Sequence, residues 1–84
     1  MKIEMYTADW CSACKTVKPI VISLENIEKE IVDVEQHTEK AISLGIRNIP
    51  VLRFLDDEDV EIGRLVGNKP KQEIEEFIVK LGGN

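Results

Sequence analysis

The stretch Ala8-Asp9-Trp10-Cys11-Ser12-Ala13-Cys14-Lys15 holds both cysteines and the only tryptophan of the chain within five consecutive residues. Two thiols separated by two small residues admit three readings: a redox-active dithiol, half of a metal site, or a structural bridge. A bridge across two residues closes a very small loop and removes little entropy from the unfolded chain. The structural reading therefore ranks last, and the residues around the pair must decide between the other two.

The bulk numbers narrow the field. Eighty-four residues, read here as a single domain spanning 1–84, are enough for one small core; a chain of this size buries roughly 60–65% of the surface it exposes when unfolded. Sixteen acidic against eleven basic residues leave a net charge of −5. Nucleic acid and anionic membrane surfaces both favour concentrated Lys and Arg, so neither is an expected partner. Met1-Lys2-Ile3-Glu4-Met5-Tyr6 is too charged for a secretory leader. No stretch approaches the roughly 20 apolar residues of a membrane span. These features suggest a cytoplasmic monomer, a setting in which paired cysteines are catalytic or metal-binding.

Outward from the cysteines, the pattern predicts seven elements. Lys2 to Thr7 alternates charged and apolar residues, with Ile3, Met5 and Thr7 on one side, as in a strand. From Ser12 to Lys29, Val17, Ile20, Val21, Leu24 and Ile27 recur at helical spacing, with Pro19 inside the helix. Glu30 to Glu35 reads as a second strand. Thr38 caps a short helix running to Leu44, with Gly45 just past its end. Pro50 to Leu55 and Val60 to Val66 form a hairpin around the acidic turn Asp56–Asp59. After Gly67-Asn68-Lys69-Pro70, Ile74, Phe77, Ile78 and Leu81 mark a last helix, and Gly82-Gly83-Asn84 is expected to fray. The order β-α-β-α-β-β-α predicts an α/β fold with a four-stranded mixed sheet flanked by three helices. A helix between the first two strands makes that pair parallel with a right-handed crossover.

This order places Cys11 at the N-cap of the first helix and Cys14 one turn inside. Free backbone N–H groups and the positive end of the helix dipole favour a thiolate at Cys11. The turn brings the two sulfurs within bonding distance, with Cys11 expected as the exposed member and Cys14 as the shielded one. That asymmetry suits thiol–disulfide exchange, in which Cys11 attacks a substrate disulfide and Cys14 resolves the mixed disulfide. Trp10, next to the N-cap, is expected as a partly exposed wall of the site.

At this point the chain resembles the thioredoxin superfamily in its compact, glutaredoxin-like form. The Trp-Cys-x-x-Cys signature is Trp10-Cys11-Ser12-Ala13-Cys14, Pro19 matches the helix proline, and Gly45-Ile46-Arg47-Asn48-Ile49-Pro50-Val51 matches the loop before a cis-proline. Val66-Gly67 and the helix after it also fall where the family has them. The resemblance implies a cis Ile49–Pro50 peptide beside the cysteines and a shallow apolar groove formed by Trp10, Ile49, Pro50, Val66 and Gly67. It implies a thiol–disulfide oxidoreductase that reduces disulfide-containing proteins. No metal or organic cofactor is required, since the Cys11–Cys14 dithiol is itself the redox group.

The departures from the family pattern are also informative. The buried acid common on the first core strand of thioredoxins is replaced by Met5, and the lysine that accompanies it by Ile31. No general base is assigned to Cys14. The inner pair Ser12-Ala13 lacks the histidine of strongly oxidising relatives, which favours a reductant. Gly67-Asn68-Lys69-Pro70 lacks the Gly-Gly-x-Asp or Ser-Asp signature that holds glutathione in glutaredoxins. The expected electron donor is accordingly a thioredoxin reductase, with glutathione the alternative. The rival class is a metal carrier. Two thiols and a distant His37 cannot close a four-ligand zinc site in one chain, but a CxxC pair alone can hold a soft monovalent ion. The turn Asp56–Asp59 lacks the alternating ligands of a calcium loop.

Overall fold

A computed structural model describes residues 1–83; Asn84, part of the tail expected to fray, lies outside the described residues. The elements are β1 (Lys2–Thr7), α1 (Ser12–Ser23), β2 (Glu28–Asp33), α2 (Thr38–Ser43), β3 (Val51–Leu55), β4 (Glu61–Val66) and α3 (Lys71–Lys80). The sheet order is β2-β1-β3-β4. β1 and β2 run parallel, and β3 is antiparallel to both β1 and β4. This is the predicted α/β architecture.

The alternation along β1 divides the interior. Ile3 and Met5 join Val17, Val21, Leu52, Phe54, Ile74 and Ile78 in an apolar cluster that packs α1 and α3 onto one face of the sheet. Phe54 meets Phe77 edge-on, with ring centroids 5.1 Å apart, a favoured aromatic geometry. Tyr6, Val32, Ala41, Ile46 and Val51 form a smaller cluster that seats α2 on the opposite face.

Three predicted boundaries are corrected. α1 ends at Ser23, where the Ser23 hydroxyl donates to the Ile20 carbonyl at 2.6 Å and Leu24 turns extended. Asn26, at φ +61°, then reverses the chain and lets β2 begin at Glu28. Leu24 and Ile27 still pack on the core, from outside the helix, so their helical spacing is coincidental. Thr38 is the first helical residue of α2 and not its cap; its hydroxyl donates to the Val34 carbonyl, while His37 holds the cap position without a side-chain bond.

The glycine at the end of α2 behaves as predicted. Gly45 adopts φ +71°, and the N–H groups of Gly45 and Ile46 close onto the carbonyls of Ile42 and Ala41. This paired capping satisfies the last free carbonyls of a helix. α3 ends in the same way, with Gly82 at φ +95° and Gly83 donating to the Ile78 carbonyl. Gly82 and Gly83 therefore form a helix cap where a frayed end was expected.

Candidate active site

The tip of β1 leads into a tight turn, in which the Cys11 N–H donates to the Ala8 carbonyl at 3.1 Å. Cys11 is the N-cap of α1, in extended backbone at φ −90° and ψ 107°. Its sulfur accepts the Cys14 N–H at 3.2 Å, and its carbonyl accepts the Lys15 N–H at 3.3 Å. The sulfur thus does what a serine or aspartate oxygen does at an ordinary N-cap, partnering a free donor of the first turn. Cys11 and Cys14 are joined as a disulfide, their Cα atoms 5.2 Å apart.

Cys14 is shielded as expected, and Cys11 is more enclosed than expected. Cys11 is 7% exposed and Cys14 1%. The order matches the reading of the sequence, but Cys11 is no solvent-facing side chain in the disulfide form. Its cover is identifiable: the Ile49 carbonyl lies 3.8 Å from its sulfur, and both cysteines belong to the apolar cluster under α1. The Ile49–Pro50 peptide is cis, as the resemblance implied.

The other candidate residues take distinct positions. Pro50 is buried, and its carbonyl accepts the Gly67 N–H at 2.9 Å, which ties the end of β4 to the start of β3. Gly67 sits at φ +94°, a conformation that L side chains rarely adopt. Trp10 is 67% exposed and Val66 45%. Neither serves the core, and both present apolar surface at the end of the sheet that carries the disulfide. Ile49, half-buried, bridges the two apolar clusters. The chain thus gathers Cys11, Cys14, Ile49, Pro50 and Gly67 through direct contacts or consecutive bonds.

Met5, at the position where an acid was looked for, is fully buried in the cluster that holds the cysteines. The residues of that cluster carry no ionisable side chain besides the two cysteines. The buried acid of this protein is instead Glu4, one residue earlier and on the opposite face, at 5% exposure. Its carboxylate accepts from the Tyr6 hydroxyl and the Arg53 guanidinium, each at 2.8 Å, and lies 3.5 Å from the Lys40 ammonium. Arg53 also donates to Glu61 at 2.6 Å, and Glu61 accepts twice from Arg64 at 2.8 Å.

Burial works to raise the Glu4 carboxyl, but the bonds from Arg53 and Tyr6 outweigh it and hold the group below the ordinary carboxylate range. Glu61 is held down chiefly by Arg64. Tyr6 is pushed up, first by burial and then by its bond to Glu4. Strand alternation gave no sign of this network, because it assigns Glu4 to solvent. The usable signal was complementary charge on strands too numerous for one six-residue helix to cover.

Among the described residues, no three His, Cys, Asp or Glu side chains gather as a metal-ligand group. His37 is exposed at the start of α2. A cavity of about 510 Å³ lies at the far end of the molecule, lined by residues such as Met1, Leu24, Asn26 and Ile78, and it includes neither cysteine. No helix of the described residues is long and apolar enough to cross a membrane.

The Thioredoxin family model matches residues 3–80. The chain belongs to the thioredoxin family. Among curated relatives, the SPbeta prophage-derived thioredoxin-like protein YosR of Bacillus subtilis is 38% identical over 71 residues, an alignment covering 84% of this chain and 86% of YosR. The chloroplastic thioredoxin-like protein HCF164 of rice is 34% identical over 86 residues, covering 94% of this chain. That alignment spans 32% of HCF164, so the chain matches about a third of that longer protein. Thioredoxin 1 of Thermosipho africanus superposes with a TM-score of 0.84 at 28% identity, covering 95% of this chain and 92% of that one. With family, fold and cysteine pair in agreement, the domain is a thiol–disulfide oxidoreductase whose redox group is the Cys11–Cys14 pair.

Proposed function

We propose that the chain works as a reductant of protein disulfides, with Cys11 as nucleophile and Cys14 as resolving thiol. The observation that carries this reading is the Cys14 N–H directed at the Cys11 sulfur from the first turn of α1. In the reduced protein the same donor favours the thiolate of Cys11 over the thiol.

The thiolate attacks one sulfur of the substrate disulfide, forming a Cys11–substrate disulfide and releasing one substrate thiolate. Cys14 then loses its proton and attacks the Cys11 sulfur, forming the Cys11–Cys14 disulfide and releasing the second. The substrate gains two electrons and two protons, and the dithiol loses them. With Met5 in place of an acid, the Cys14 proton passes to water or to the departing substrate thiolate. Trp10, Ile49, Pro50, Val66 and Gly67 form the groove that holds the substrate chain extended. A thioredoxin reductase restores the dithiol, and the protein acts as a monomer in the cytoplasm.

The test uses the reduced chain and a disulfide-bonded protein substrate. Cys11→Ser should bring reduction to background, while Cys14→Ser should accumulate a covalent complex that dithiothreitol releases. Trapping through Cys14 in a Cys11→Ser chain, with none through Cys11, would reverse the roles.

A further inference from the structure

The groove carries a charge opposite to that of the whole chain. The three segments that meet at the disulfide, 8–15, 45–50 and 66–69, hold the bases Lys15, Arg47 and Lys69 against a single acid, Asp9. The whole chain has eleven bases and sixteen acids, so this balance is local to the site.

Each base is close to the chemistry through a contact already described. Lys15 follows Cys14, and its N–H is bonded to the Cys11 carbonyl. Arg47 stands two residues, at most about 7 Å of chain, before Ile49, whose carbonyl lies beside the Cys11 sulfur. Lys69 comes two residues after Gly67, which is bonded to Pro50.

Most bases of the body of the fold are neutralised: Lys2, Arg53 and Arg64 on the strands and Lys40 on α2 make ion pairs, while Lys29 of β2 donates to the Ile22 carbonyl. Lys15 and Arg47 are exposed and make no ion pair among the described residues. Lys69 is shared with Glu73 at 3.4 Å. The acids collect elsewhere. β3 runs away from the disulfide, so the turn Asp56–Asp59 stands at the far end of the molecule. Asp33, the last residue of β2, and Glu35 stand at the disulfide end of the sheet, but on the β2 side of β1, opposite to the β3–β4 side that carries Pro50 and Gly67.

We propose that this groove selects protein disulfides flanked by acidic residues. The inference deepens the disulfide-reductase reading and rests on it. An extended segment lying along Trp10, Pro50 and Gly67 brings its flanking side chains toward Lys15, Arg47 and Lys69. Charges within a Debye length of about 10 Å at 0.1 M salt act together on an approaching partner. The acidic far end repels the same partner and turns the basic rim toward it. Complementarity of this kind acts mainly on association rate and on partner choice.

The test uses three disulfide-linked peptides with the same apolar residues beside the cystine and with Glu, Gln or Lys flanks. The second-order rate of oxidation of the reduced chain is followed at low and high salt. The Glu peptide should react about tenfold faster than the Lys peptide at low ionic strength, and the gap should close to about twofold near 0.5 M salt. Arg47→Glu should remove most of that preference while changing the Gln-peptide rate by less than about twofold. Equal rates for all three peptides, a faster Lys peptide, or a preference indifferent to salt and to Arg47→Glu would overturn the selection and leave the reductase reading intact. If the Gln peptide is not reduced either, the reductase reading falls and the selection with it.

Discussion

On the face covered by α1 and α3, β1 sends Ile3 and Met5 into an apolar cluster that contains both cysteines. On the other face the same strand sends Glu4 and Tyr6 into a lattice of Arg53, Glu61, Arg64 and Lys40. The contrast follows from cover. Two helices seal the first face, and a charge placed there would be desolvated without a partner. The second face has only the six residues of α2. Where no helix reaches, cross-strand charges satisfy one another and stay part-exposed at the rim. The buried side of the dithiol therefore faces apolar side chains, with charged residues only at its rim, and the one buried acid among the described residues is kept a sheet's thickness away.

Placing an acid on the wrong face should have the largest effect. Met5→Asp buries a carboxylate without a donor and should destabilise the fold by about 4 kcal/mol at pH 7, measured by urea unfolding beside Met5→Leu. Burial raises the folded pKa of such an acid, so the loss should shrink as pH falls and the group is neutralised. A loss equal to that of Met5→Leu would mean that the dithiol face tolerates charge.

Removing the acid from the correct face comes next. Glu4→Ala removes one of the two carboxylates on part-buried Arg53 and the acceptor of the buried Tyr6 hydroxyl, and should cost about 3 kcal/mol. Replacing both by apolar residues, Glu4→Leu with Arg53→Met, should recover much of that loss. Glu4 and Glu61 are held below their ordinary range in the folded state. Their stabilisation is therefore complete above the ordinary carboxylate range and is lost as pH falls through the depressed values. Glu4→Gln should flatten that acid limb, and an unchanged slope between pH 5 and 2 would show that the lattice is not its source.

Two glycines, Gly63 within β4 and Gly67 just after it, give smaller effects. A Cβ at Gly63 would lie 2.9 Å from the Phe77 ring, so Gly63→Ala should cost about 2 kcal/mol through overpacking of the helical face. A Cβ at Gly67 meets nothing within 4 Å, but the residue is held at φ +94°. Gly67→Ala should cost about 1 kcal/mol from backbone conformation alone and slow substrate reduction more than it lowers the melting temperature. The reverse order in thermal unfolding would mean that packing at Gly63 is looser than its contacts imply.

Much of this was legible in the chain, for local reasons. The N-cap role of Cys11 follows from a strand, a two-residue spacer and a helix, all within a dozen residues. Gly45 announced its cap because only a left-handed turn ends α2 there. The end of α1 was not legible, because Leu24 and Ile27 fit the helical period and pack on the same core from beyond the helix. The enclosure of Cys11 depends on Ile49, thirty-eight residues away. Glu4 was hidden for a similar reason: its distant partners, Arg53 and Lys40, lie on β3 and α2, and alternation along one strand says nothing of them.

The most direct test of the central claim is the equilibrium of the Cys11–Cys14 pair against a glutathione redox buffer, with Cys11→Ser as the control. A disulfide reductase requires a potential below about −230 mV, on the thioredoxin side of the scale. A potential above about −200 mV would contradict the reductase reading and make the protein an oxidant or a glutathione-coupled enzyme.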